Sequence, residues 1–207
     1  MTSTATKRSE DIHRAIHLEL FTIFYNLLEG AVSLLLGRFA SSIALIGFGL
    51  DSFIESSSGL VVFWRFRAEA REQGCLQIQE QRALRYVGWS FLLLSAYIVF
   101  ESLRKLLFRE SPAPSFAGIL LALVSLIVMP ILSRRKRRVA EALNSGAMLG
   151  DSKQTLACSL LSAALLVGLT LNAGFGWWWA DPVAGLAMVP WLSNEGYRAV
   201  RGEACCG

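Results

Sequence analysis

The chain has 207 residues, of which 54% are hydrophobic and 17% are charged, and its mean hydropathy is +0.46. A soluble domain of this length does not need so many apolar residues, and several apolar runs approach the roughly 20 residues that cross a bilayer core. The net charge of +4 is modest, so we expect the lysines and arginines to set membrane topology rather than to bind nucleic acid. We therefore predict an integral membrane protein.

Residues 1–17 are polar and lack an apolar core before a small-residue cleavage site, so we expect a cytoplasmic N-terminal segment and no cleavable signal peptide. Six apolar segments follow, and each is predicted as a helix because a chain in lipid must satisfy its own backbone hydrogen bonds. The predicted spans are residues 18–36, 41–63, 86–108, 116–132, 152–173 and 180–199. The predicted fold class is an all-α bundle of six transmembrane helices over residues 18–200, followed by a short cysteine-containing tail at 201–207.

The distribution of basic residues predicts the orientation. With the N-terminus inside, all but four of the 20 lysines and arginines fall on the inner side of the predicted spans. Because positive residues accumulate in cytoplasmic segments, both termini are predicted to be cytoplasmic. The four cysteines show no CxxC spacing and no disulfide framework.

Two acidic residues lie in the middle of predicted span 2, within the stretch IALIGFGLDSFIESSSGL at 43–60. Asp51 and Glu55 are four residues apart and therefore share one face of a helix. An ionised carboxylate at mid-membrane costs roughly 2.5–3.5 kcal/mol, and two like charges this close repel unless a proton or a cation lies between them. We expect a divalent cation or an exchangeable proton as the partner. Pairing with basic groups of other spans is the alternative.

Predicted span 5 carries a second polar face, in the stretch GDSKQTLACS at 150–159. Asp151, Gln154, Thr155 and Cys158 recur at the spacing that places side chains along one side of a helix. A thiolate together with carboxylates suits zinc better than magnesium or calcium, so spans 2 and 5 could supply a four-ligand site if they touch. Gln154 and Thr155 could equally bond between helices, and Cys158 could be a small core residue.

Other polar residues have open interpretations. Glu29 in span 1 could relay protons or accept a hydrogen bond between helices. Lys153 could neutralise Asp151 or extend to the inner headgroups, and the run SRRKRR at 133–138 could bind anionic lipid or stop transfer through the membrane. Adjacent Cys205 and Cys206 could form an accessory metal site with Glu203, or be an exposed thiol pair with no role.

Three stretches together resemble the cation diffusion facilitator family: SSIALIGFGLDSFIE in span 2, LGDSKQTLACS at the start of span 5 and WWWADPVAGL at the start of span 6. Their order, their spacing and the six-span topology agree with that family from span 1 to span 6. The resemblance implies a homodimeric carrier that exports zinc or a related divalent ion from the cytoplasm by proton antiport. It also implies a transport site that joins Asp51 and Glu55 to a His/Asp-and-Asp pair on span 5.

The span 5 motif of that family reads Ala-Asp-x-x-His-x-x-x-Asp, and this chain departs from it at two positions. Gln154 stands where the histidine is expected and Cys158 where the second aspartate is expected, while Asp151 keeps the leading position. The implied metal site is therefore Asp51, Glu55 and Cys158, with Asp151 and Gln154 as further candidates, and a thiolate there should favour softer ions. The family's C-terminal cytoplasmic domain is not expected here, so dimerisation would fall to the membrane spans.

We therefore predict a transporter of divalent cations, zinc above all, in the plasma membrane. We expect no permanently bound cofactor, and the bilayer, metal ions and protons as partners. The alternative is a metal sensor or assembly module on the same fold, which would bind metal without flux. An enzyme with Cys158 as nucleophile is not expected, because a general base should lie beside the thiol and both histidines, His13 and His17, precede span 1.

Overall fold

The computed structural model describes residues 2–39, 43–71, 76–109 and 116–202, and these ranges form six α-helices. The helices are α1 Thr2–Phe39, α2 Ile43–Ala70, α3 Leu76–Phe108, α4 Phe116–Leu143, α5 Gly146–Phe175 and α6 Ala180–Arg201. Each predicted span lies within one helix, apart from residues 41 and 42, which lie outside the described ranges. The predicted all-α fold is confirmed for the described part of the chain.

The distribution of apolar and polar side chains suits lipid rather than water. Within the described residues, four helices are long and apolar enough to cross a bilayer, over Lys7–Phe39, Leu45–Ala70, Gln77–Phe108 and Ala117–Leu143. Large apolar side chains such as Phe24, Trp89 and Leu107 cover the outside, while many serines and carboxylates are buried inside. Polar groups in membrane helices face the bundle interior in this way. The chain is an integral membrane protein, and the count of six spans and the cytoplasmic termini stay predictions.

Helix α5 lies at the centre of the packing, since it contacts α2, α3, α4 and α6. The other main pairs are α1 with α2 and α3 with α6. Both of these pairs bring backbones together at glycines. A Cβ atom on Gly49 would lie 2.9 Å from the Gly30 carbonyl oxygen, and one on Gly196 would lie 2.9 Å from the Gly88 carbonyl oxygen. Small residues at such crossings let membrane helices approach closely.

A two-residue connection joins α4 to α5. Helix α4 does not end near residue 132, where predicted span 4 ends, but continues through the basic run SRRKRR to Leu143. It stops because Asn144 takes a left-handed conformation (φ 53°), which is a common way to end a helix. The Ser145 hydroxyl then accepts the Met148 N–H (3.2 Å) and caps the start of α5. Helices α4 and α5 therefore form an antiparallel pair.

An ionic network fixes one end of this bundle. Arg65 on α2 pairs with Glu69 (2.6 Å) and with Glu80 on α3 (2.5 Å). Arg8 on α1 also pairs with Glu69 (2.6 Å). The Glu80 carboxylate accepts the Ala147 N–H (2.7 Å) at the start of α5, where a negative charge is favoured by the helix dipole. The network holds α1, α2, α3 and α5 in one register and so positions the polar faces of α2 and α5.

Candidate metal-binding site

Asp51, Glu55 and Cys158 meet between α2 and α5, as the polar faces of predicted spans 2 and 5 suggested. The Cys158 thiol lies close enough to the carboxyl groups of Asp51 and Glu55 to interact with both. The three side chains are almost fully buried, with exposed fractions of 4%, 0% and 1%. We refer to these three residues as the acid–thiol site.

The Glu55 carboxylate is the least satisfied group of the acid–thiol site. The Thr155 hydroxyl and the Cys158 thiol face it, but Thr155 donates instead to the Asp151 carbonyl oxygen (3.2 Å). Among the residues that the structure describes, neither Glu55 oxygen has a hydrogen bond of good geometry, and Asp51 Oδ2 has none either. Buried polar atoms without partners are rare in native proteins, so these oxygens are available to a ligand.

A cavity of about 90 Å³ reaches Asp51 from the side of α3 and α6. Its wall includes Tyr97 and Glu101 on α3 and Pro182 at the start of α6. The cavity therefore extends from Asp51 toward the C-terminal end of α3, which is the predicted outer end of the bundle. Glu55, one turn further along α2, does not line it.

Glu29 lies beside the acid–thiol site and connects α1 to α2. It accepts hydrogen bonds from Ser52 on α2 (3.0 Å) and from Tyr25 (3.1 Å). The hydrogen bond between helices, which was one of the two interpretations of Glu29, is thus present. Its charge also interacts with those of Asp51 and Glu55, so a role in proton relay stays a prediction.

Gln154 points toward α3. Its carbonyl oxygen accepts a hydrogen bond from the Ser90 hydroxyl (3.1 Å), and its side chain is 1% exposed. The amide therefore bonds between helices, as the alternative interpretation held.

Asp151 is held by groups that the sequence did not connect to it. Lys136 on α4 forms an ion pair with Asp151 Oδ2 and a hydrogen bond with Glu19 Oε2 on α1 (3.0 Å). Ser58 on α2 donates to Asp151 Oδ1 (3.0 Å). Both Asp151 oxygens are thus occupied. Lys153 forms an ion pair with Glu195 on α6 (2.6 Å) and therefore does not neutralise Asp151.

Glu19 and Lys136 are site residues that the sequence reasoning missed. The signal was helical spacing: Lys136 recurs on α4 with the buried residues Met129, Leu132, Ala140 and Leu143. Because SRRKRR was treated as one block of charge, the buried position of Lys136 within it was missed. Cys205, Cys206 and Glu203, the predicted accessory metal site, lie outside the described residues.

The acid–thiol site does not form a complete metal centre as it stands. Over the described ranges, no group of three or more His, Cys, Asp or Glu side chains converges closely enough to hold a metal ion. In the part of the chain that the structure describes, the arrangement instead offers buried carboxylate oxygens without hydrogen-bond partners beside a thiol. Chemically, such a group can take up a cation or a proton.

The apolar exterior, the polar interior and the buried acids define a helical membrane protein of the kind that handles cations within its bundle. The model of the cation efflux transmembrane domain matches residues 85–202, which is more than half of the chain. The chain belongs to this family of cation efflux proteins, as its resemblance to the cation diffusion facilitators predicted. The match contains Lys136, Asp151 and Cys158, whereas Asp51 and Glu55 precede it.

Two curated relatives extend the similarity to most of the chain. A cadmium, cobalt and zinc/H(+)-K(+) antiporter of Bacillus subtilis (strain 168) is 23% identical over 171 residues, which cover 80% of this chain and 54% of the relative. An uncharacterized transporter of Methanocaldococcus jannaschii is 24% identical over 184 residues, covering 86% of this chain and 64% of the relative. The chain thus spans less than two thirds of the length of either relative.

Proposed function

We propose that this chain carries divalent metal cations, with zinc as the favoured cargo, and exports them from the cytoplasm. The observation that carries the proposal is the meeting of Asp51, Glu55 and Cys158 inside a membrane bundle. Among the described residues, neither Glu55 oxygen has a hydrogen-bond partner of good geometry. Two carboxylates and a thiolate give a borderline to soft ligand set, which zinc and cadmium prefer over magnesium and calcium. The Bacillus relative, whose name includes cadmium, cobalt and zinc, supports the same class of cargo.

An incomplete site suits a carrier, because a carrier must release its ion as well as bind it. Binding near the middle of the membrane between helices that rock against each other is the general logic of secondary transport. In this proposal a small approach of α5 toward α2 brings Cys158 and the two carboxylates onto one ion. The reverse movement releases the ion into the cavity beside Asp51.

Proton antiport follows from the charges of the same groups. Two carboxylates that lie this close in a dry interior cannot both stay ionised without a cation. Departure of the metal ion is therefore accompanied by protons binding to Asp51 or Glu55, and Glu29 is placed to pass them on. We also propose that the protein resides in the plasma membrane with both ends cytoplasmic, and that two copies associate through their membrane spans.

Zinc flux into proteoliposomes with an imposed pH gradient tests this function. Wild-type protein should give gradient-dependent flux, and Asp51→Ala should lower it to the level of empty liposomes because the site loses a charged ligand. Glu141→Ala is the control and should keep wild-type flux, since this exposed side chain pairs with Arg137 on its own helix.

Equal flux in wild type and Asp51→Ala would contradict the assignment of the site. Metal binding without flux in the wild-type protein, with several divalent ions tried, would instead favour a sensor or assembly module.

A further inference from the structure

A second buried cluster lies next to the acid–thiol site, around the Lys136 ammonium group. Lys136, Glu19 and Asp151 are all fully buried and come from three different helices. Glu55 also lies within electrostatic range of the ammonium group. Ser58, which bonds to Asp151, is three residues after Glu55, so the cluster lies about 4.5 Å further along α2 at 1.5 Å per residue.

The cluster has more carboxyl groups than its single ammonium group can pair with. Glu19 and Asp151 bond to the ammonium group, and Glu55 lies within electrostatic range of it. In the described part of the chain, Glu19 Oε1 and both Glu55 oxygens have no hydrogen-bond partner of good geometry. Burying an ion pair is costly even when it is well bonded, so a purely structural pair would not be expected to leave acceptors open.

We propose that Glu19, Asp151 and Glu55 form a second binding position for the transported divalent cation, the inner cation station, and that the Lys136 ammonium group occupies it when no metal ion is there. The inference rests on the proposed function, because the metal ion is the cargo of that function. An arriving ion displaces the ammonium group, which can withdraw because lysine carries a compact charge on a flexible stem. The ion then passes from the inner cation station to the acid–thiol site through Glu55, which faces both.

The position of the cluster supports this order. The cavity reaches Asp51 from the predicted outer end, whereas Glu19 and Asp151 lie on the other side of Glu55, toward the ionic network of Arg65 and Glu69. The three carboxylates do not converge on one point as they stand, as expected while the ammonium group lies among them.

A variant without the ammonium group tests the proposal. Lys136→Met removes the positive charge and nearly preserves side-chain volume. Zinc affinity of the full chain in nanodiscs should rise about tenfold in isothermal titration, because no ammonium group competes for Glu19, Asp151 and Glu55. Adding Glu19→Gln or Asp151→Asn should cancel the gain, since each removes one carboxylate of the inner cation station.

The matched control is Lys153→Met with Glu195→Gln, which removes the partly exposed pair between α5 and α6. Its zinc affinity should stay within about twofold of wild type, because pairs near the surface contribute little. If Lys136→Met does not fold alone, zinc should restore a monodisperse species, since metal that binds only the folded state stabilises it.

Three results would overturn the proposal: unchanged or weaker zinc binding in Lys136→Met, a gain that persists after Glu19→Gln or Asp151→Asn, or a misfolded Lys136→Met variant that zinc does not restore. Failure of the proposed function is a separate result. It would appear as absent wild-type flux in proteoliposomes, whatever the Lys136 substitution does to binding.

Discussion

A Cβ atom at position 47 would clash with the Tyr97 hydroxyl oxygen, from which it would lie only 2.0 Å away. Gly47 avoids this clash because it carries only a hydrogen atom there. The Tyr97 ring can therefore lie against α2 one turn before Asp51 and form a wall of the cavity. After the hydroxyl oxygen, the next ring atom, Cζ, would be 3.2 Å from the same Cβ position. The hydroxyl group is thus the main part of the side chain that requires a glycine at this position.

The predicted effect of Gly47→Ala is a loss of stability of about 1–3 kcal/mol, because overpacking forces Tyr97 off its position. Adding Tyr97→Phe should recover most of this loss, since only the 3.2 Å contact remains. Thermal unfolding in detergent, followed for wild type, both single variants and the double variant, measures the coupling. Independent effects of the two substitutions would contradict this account of the contact.

Residue spacing predicted part of the site and concealed the rest. Asp51, Glu55 and Cys158 could be found because each lies on a polar stripe within an apolar segment, and stripes of this kind face one another in a bundle. Lys136 could not be found by charge counting, because its burial depends on the register of α4 beyond the apolar segment. The direction of the Gln154 amide toward Ser90 depends on the neighbouring helix, which no local pattern encodes.

At the scale of elements, two glycine pairs set how closely helices approach. Gly30 and Gly49 lie at the crossing of α1 with α2, and Gly88 and Gly196 at the crossing of α3 with α6. A Cβ atom on Gly88 would also lie 2.7 Å from the backbone nitrogen of Val200. Backbone atoms cannot turn aside as a flexible side chain can, so α3 and α6 would have to separate.

Gly88→Ala should therefore destabilise the bundle by about 1–3 kcal/mol and broaden its elution profile in detergent. Gly185→Ala is the matched control on α6, because its Cβ atom would meet only side-chain atoms of Ser102 and Ile98, at 3.2 Å and 3.4 Å. Thermal unfolding compares the two variants. Equal stability of Gly88→Ala and Gly185→Ala would show that backbone approach does not limit this crossing.

The positions of the helices along the chain were predictable at this scale, but their lengths were not. Apolar segments locate the six helices because lipid requires internal backbone hydrogen bonds. The extension of α4 to Leu143 was missed because SRRKRR was taken as the end of the segment. Its termination depends instead on Asn144 and Ser145. In α1, a polar stripe that apolar counting overlooks recurs every three or four positions. Its buried residues are Glu19, Thr22, Asn26, Glu29 and Ser33.

At the scale of the whole molecule, the two sides of Glu55 differ. On one side the cavity reaches Asp51. On the other side, Lys136 pairs with Glu19 and Asp151, and the network of Arg65, Glu69 and Glu80 lies beyond them. We interpret this asymmetry as a conformation of a carrier in which the site is accessible from the predicted outer end. Movement of α5 relative to α2 would then change the accessible side.

The most direct test of the central claim is cadmium binding followed by thiolate-to-metal charge-transfer absorption in the ultraviolet. The protein for this measurement has its other three cysteines replaced by serine, so that Cys158 is the sole thiol. We predict a band that saturates at one equivalent of cadmium per chain and disappears in Cys158→Ser, with much weaker binding in Asp51→Asn. Cadmium binding without this band, or a chain that binds no cadmium while folded, would contradict a metal site made of Asp51, Glu55 and Cys158.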